Sequence, residues 1–129
     1  MSARSKTVLL RRSDGAVACE RCHVAATPLL RMRGLLGWRN LPSGEGMLLR
    51  PAPSIQTFFM SFPIDAVFLD RDGKVLKVRS NVAPWRLAGC RGAHATLELA
   101  AGEAERRGIR AGEQLEVVEG STNGSNGSG

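Results

Sequence analysis

The sequence predicts a predominantly β, α+β domain: a compact, small barrel-like sheet with one or two short helices. Three observations lead there. Short β-branched and apolar runs alternate with turn residues, residues 94–99 alternate polar with apolar, and only two short stretches have helical character. So few helices cannot supply the crossovers of a doubly wound parallel sheet.

Taken in order, Thr7 to Arg12 reads as a strand, Ser13-Asp14-Gly15 as a turn and Ala16 to Cys19 as the returning strand of a hairpin. Thr27-Pro28 opens a helix, with Thr27 as N-cap and Pro28 at the first helical position. Leu29, Met32 and Leu36 form its stripe, and Gly37 its stop. Leu41 to Gly46 is a turn region, and Met47 to Arg50 a short apolar strand. Ile55 to Met60 reads as a strand whose Phe58, Phe59 and Met60 belong to the core, and Pro63 marks a break. Ile64 to Asp70 is apolar on both faces apart from Asp65, the pattern of an interior strand. Asp70-Arg71-Asp72-Gly73 turns into Lys74–Arg79, and a loop follows around Pro84-Trp85. Ala95, Leu97 and Leu99 then alternate with His94, Thr96 and Glu98, as in a half-buried strand. Gly102 to Gly108 is a short helix, and Gln114–Val118 a last strand. Residues 1–119 form one globular domain, and residues 120–129 are a Gly/Ser/Asn-rich tail outside it.

The 129 residues carry 18 Lys/Arg against 12 Asp/Glu, a net charge of +6, and residues 1–50 account for the whole excess. The arginines are dispersed, and six aromatics with no tyrosine make a thin stacking platform, so a solvated basic surface is favoured over nucleic-acid binding. Three cysteines, an odd number, argue against a disulfide framework and for a reducing compartment. No apolar run reaches the length of a secretory h-region or of a membrane span. The expectation is a cytoplasmic protein with no membrane partner.

An ordered series of blocks runs through the chain. Arg33-Gly34-Leu35-Leu36-Gly37, Gly46-Met47-Leu48-Leu49, Thr57-Phe58-Phe59-Met60, Ile64-Asp65 and Val67-Phe68-Leu69-Asp70 come first. Asp72-Gly73-Lys74-Val75, Pro84-Trp85, Leu97 to Gly102 and Gly108 to Glu113 complete it. The series resembles domain-of-unknown-function family 192 from about Val17 to Val118. The resemblance implies a stand-alone β-rich domain and implies no activity. Similar members often place His directly before the Thr-Phe block. This chain has Gln56 there, so imidazole chemistry at that position is not carried over.

Several residues could line a site. Asp65 shares a strand face with Val67 and Leu69. A carboxylate there needs backbone N–H groups or a cation such as Arg33, and otherwise serves as a pocket acid. Gln56 and Thr57 would line a cleft if their strand borders one. Trp85, after a proline, suits a ligand lid, a partner surface or a plug over the barrel end. Glu98 is the second acid of an enzymatic alternative built on Asp65. The ligand-binding candidates are therefore Arg33, Gln56, Thr57, Asp65, Trp85 and Glu98.

Cys19-Glu20-Arg21-Cys22-His23 matches the C-x-x-C-H pattern of haem attachment, but covalent haem calls for an exported chain. Cys19, Cys22 and Cys90 with His23 or His94 could supply four zinc ligands, although no second C-x-x-C exists. The readings rank as structural cysteines, zinc, redox pair and haem, and no cofactor is expected. Asp70 and Asp72 are turn formers before they are metal ligands. No phosphate loop or hydrolase triad is present. The function expected is an accessory module binding a small ligand or a protein through a shallow cleft near Thr57–Asp65 and Trp85. The alternatives are an enzyme or zinc protein and, behind them, a weak nucleic-acid binder.

Overall fold

The computed structural model describes residues 6–26, 35 and 38–118. The helix expected from Thr27, the candidate Arg33 and the tail at 120–129 lie outside them. The elements are β1 (Lys6–Arg12), β2 (Val17–Ala25), β3 (Glu45–Leu49), β4 (Ser54–Gln56), β5 (Ile64–Leu69), β6 (Val75–Val82), β7 (Leu87–Gly89), β8 (Ala95–Ala100), α1 (Glu103–Arg106) and β9 (Leu115–Val118).

Seven strands form one sheet in the order β6-β5-β8-β3-β2-β1-β9, while β4 and β7 pair separately. The large sheet curls into a half-barrel. Its two edge strands meet at one end, where the Val75 N–H donates to the Glu113 carbonyl at 2.8 Å and the Leu115 N–H to the Gly73 carbonyl at 2.9 Å. The predicted fold class is therefore the observed one.

The sheet has two buried faces. Leu10, Cys19, Cys22, Leu48, Val67 and Leu97 pack inside the curl. Met47, Leu49, Ile64 and Phe68 pack outside it, under the β4–β7 ribbon and its Ile55, Met60 and Ala88. This second core changes how β8 is read. Thr96 and Glu98 were expected on a solvated face, yet they are 0% and 3% exposed because the ribbon's chain covers them. The Thr96 hydroxyl donates to the Ala52 carbonyl at 2.8 Å, which satisfies it.

Local departures have physical causes. β2 runs to Ala25 rather than stopping at Cys19, and between Leu10↔Cys19 and Val8↔Cys22 it carries one residue more than β1. This bulge turns Cys19 and Cys22, three apart, onto the same inner face. Gly46 belongs to β3, not to a turn. A Cβ there would meet the Glu98 carbonyl oxygen at 2.9 Å and Cys19 Sγ at 3.0 Å, so only glycine lets β3 lie flush against both. The run Ile55–Met60 is strand only to Gln56, and β7 is an element the sequence left as loop.

Candidate interaction surface

Thr57 directly follows the short strand β4, and its environment organises everything nearby. It is 0% exposed. Its N–H donates to the Arg86 carbonyl at 2.9 Å, and its carbonyl accepts from the N–H groups of Met60 at 3.2 Å and Trp85 at 3.0 Å. Its hydroxyl donates to the Ala83 carbonyl at 2.7 Å and accepts from the Arg86 N–H at 2.9 Å. One threonine thus ties the turn after β4 to the turn before β7, using both hydrogen-bonding capacities of its side chain.

What the clamp holds outward is apolar. Phe58 is 37% exposed, Phe59 70%, Trp85 54% and Leu87 72%. The Phe58 ring stacks on Trp85 with centroids 5.7 Å apart, and Phe59 tilts against the same indole at 4.6 Å. Phe59 and Trp85 both adopt left-handed backbone, with φ of 66° and 67°. Such a conformation costs a bulky residue about 1–3 kcal/mol, and it persists only where the surroundings over-determine it. Gln56 stands opposite Leu87 in the ribbon, and its Oε1 accepts from the Phe58 N–H at 2.6 Å.

Phe58 and Phe59 were expected in the core. The turn places them in solvent and sends only Met60 inward. A signal existed in Ser61-Phe62-Pro63, a polar and proline flank that favours a turn over a continuing strand. Leu87 was missed altogether because its strand is three residues long.

Of the six ligand-binding candidates, the structure brings together Gln56, Thr57 and Trp85. Asp65 lies elsewhere. Fully buried on the inner-facing side of β5, it accepts from the Asn81 N–H at 2.9 Å with one oxygen and from the Gly102 and Ala104 N–H groups, each at 3.0 Å, with the other. It therefore caps α1, whose own N-cap Gly102 has no side chain to offer, and pins the bulge of β6. Glu98 pairs in register with Ala66 and Met47, both in the outer core, whereas Asp65 pairs with Leu99 of the inner one. The two acids of the enzymatic alternative thus sit on opposite faces of the sheet and cannot serve one reaction. Burial pushes the Glu98 carboxyl up to about 8, and its Oε1 has no hydrogen-bond partner among the described residues.

The proposed zinc ligands also separate. Cys19 and Cys22 lie in the inner core and hydrogen-bond to each other, which lowers the Cys19 thiol and raises that of Cys22. His23 points to the outer face, edge-on to Trp38 at 5.3 Å and 3.3 Å from Glu45. Cys90 packs against the outer core. Among the described residues no three His, Cys, Asp or Glu side chains converge as metal ligands. The bulge that buries both cysteines inward is the reason, since the next residue, His23, must then face away. The Asp70 carboxylate is occupied by the N–H groups of Asp72 at 2.8 Å and Lys74 at 2.9 Å, a turn former's role. A separate groove of about 600 Å³ opens near that turn, bordered by Leu69, Leu115, Arg50, His94 and Gln114. No helix among the described residues is long and apolar enough to cross a membrane.

The family model for DUF192, described as uncharacterized ACR, matches residues 9–117. Comparison with curated proteins finds no match. Among solved structures, the chain is similar to a "putative transcription regulator" from Sinorhizobium meliloti 1021, with TM-score 0.80 and 24% identity over 91% of this chain and 98% of that one. It is also similar to a protein of unknown function from Novosphingobium aromaticivorans DSM 12444, with TM-score 0.74 and 26% identity over 87% of this chain and 84% of that one. The first likeness carries the fold alone.

Proposed function

The chain belongs to domain-of-unknown-function family 192, and from that premise we propose that it is a small binding module whose contact surface is the knob formed by Phe58, Phe59, Trp85 and Leu87. One observation carries this reading. Two neighbouring turns hold bulky aromatic residues in left-handed backbone and aim them at solvent. A fold gains nothing from that arrangement: it stores strain and leaves apolar surface in water, both of which binding would repay. Aromatic side chains on a rigid frame are efficient contact groups because few torsions are frozen on contact. Catalysis finds less support, since Asp65 is consumed by backbone N–H groups and Glu98 stands on the other face.

The test uses a photoreactive benzoylphenylalanine at position 59, irradiated in living cells. One dominant adduct is expected there, and none from the same group at exposed Glu105 on α1. Labelling at 59 no stronger than at 105 refutes the reading.

A further inference from the structure

Resting on that reading of the knob, we infer that its partner is an anionic lipid surface, which the aromatic tip enters while flanking cations meet the headgroups. Shape is the first argument. The rings of Phe58 and Phe59 lean on Trp85 and stand exposed, and none of the three lines the grooves of about 600 and 420 Å³ among the described residues. An exposed apolar tip fits a medium that deforms around it. Trp and Phe are the side chains that settle at the boundary between headgroups and acyl chains.

Charge is the second argument. Residues 46–64 and 73–97, which contain the knob and its neighbours, include no Asp or Glu. On the outer face that carries the ribbon they supply the exposed cations Lys77, Arg79 and Arg86. The Lys77 ammonium reaches the Gly89 carbonyl at 3.4 Å, and the Arg86 guanidinium the Trp85 carbonyl at 3.2 Å, so both belong to the same surface as the ribbon. The acids Asp70 and Asp72 precede β6, whereas the knob follows its far end. Across the eight residues of that strand the separation is about 25 Å, at about 3.3 Å per residue. A surface of one sign complements one that is uniformly anionic.

Backbone satisfaction is the third argument. A tip entering the headgroup region is favoured when most of its N–H groups are already bonded. Those of Thr57, Phe58, Met60, Trp85 and Arg86 are bonded within the two turns. The expectation of no membrane partner rested on the lack of a spanning segment, and adsorption to one leaflet requires none.

The experiment takes the full chain with Trp38→Phe, so that Trp85 is the sole indole, and mixes it with vesicles of phosphatidylcholine alone or of phosphatidylcholine with phosphatidylglycerol. Co-sedimentation with the mixed vesicles is expected, with a blue shift of Trp85 emission, quenching by brominated acyl chains and weakening by salt. Phe59→Ala with Leu87→Ala should reduce binding about tenfold or more. Lys77→Glu with Arg86→Glu should reduce it about 25-fold or more, at roughly fivefold for each cation lost. The side chains of Phe59, Leu87, Lys77 and Arg86 are exposed, and circular dichroism verifies that the variants are folded. No sedimentation with mixed vesicles at low salt overturns the inference. So does binding undiminished in the Phe59/Leu87 variant, which would reduce the interaction to adsorption of a basic surface. A discrete protein adduct from position 59 without vesicle binding overturns the lipid assignment and leaves the knob as a protein-binding surface. Failure of both assays removes both readings.

Discussion

Replacing Glu98 by Gln tests the outer core at its most expensive position. The Glu98 carboxyl is 3% exposed among apolar neighbours, and desolvation raises it from 4.5 to about 8. The unfolded chain ionises this group near 4.5, whereas the folded chain holds the proton until about 8. Between those values the native state binds the extra proton, so stability must fall as pH rises. At about 1.4 kcal/mol per pH unit, the loss reaches about 5 kcal/mol by pH 8 and is flat beyond it. That is comparable with the whole stability of a small domain. Glu98→Gln cannot ionise. The variant should match the parent within about 1 kcal/mol at pH 5, where both side chains are neutral, and gain on it steadily to pH 8. Urea denaturation of both proteins at each pH reads the difference directly, because every other titrating group is common to the two. A difference that does not change between pH 5 and 8 refutes the argument, as does one that shrinks.

Two further perturbations probe the frame and the knob. Asp65→Ala takes the acceptor from three backbone N–H groups, the buried one of Ala104 and the part-buried ones of Asn81 and Gly102, and should cost about 2–4 kcal/mol by chemical denaturation; a loss below about 1 kcal/mol refutes its capping role. Phe59→Gly relieves a left-handed φ of 66° and removes exposed apolar surface. It should therefore leave the thermal midpoint unchanged or raise it while weakening binding several-fold, and a clear loss of stability would mean that Phe59 is structural.

Much of the frame was legible because it depends on local pattern. The Asp72-Gly73 turn, the interior strand Ile64–Leu69 and the alternation of Ala95, Leu97 and Leu99 each follow from residue type and period alone. What was illegible depended on long-range events. A ribbon folded over β8 converts an apparently solvated face into a second core, and no local feature of Thr96 or Glu98 announces it. The bulge in β2 reverses the facing of everything after it, so the spacing of Cys19 and Cys22 could not reveal that both point inward. Phe58 and Phe59 misled for a related reason. Two aromatics after a strand read as its continuation, while the turn that exposes them is set by the Thr57 side chain reaching Ala83, 26 positions along the chain.

These placements decide between chemistry and contact. Among the described residues, the acids and thiols weighed for chemistry fall on either side of one sheet. Asp65 and the two inner cysteines lie to one side, with Glu98, His23 and Cys90 to the other. Five of these six residues are kept apart by alternation along the sheet's strands, and Cys90 by its place after β7, which no small rearrangement can undo. The knob shows the opposite logic. Gln56, Thr57, Trp85 and Leu87 come from two strands and two turns, yet the polar members spend their hydrogen bonds on holding the apolar ones outward. A surface built that way is rigid before anything touches it, which lowers the entropy lost on contact. Gln56 bears on the same point. Its amide oxygen braces the Phe58 N–H, so the residue standing in place of an imidazole serves the shape of a contact surface rather than proton transfer.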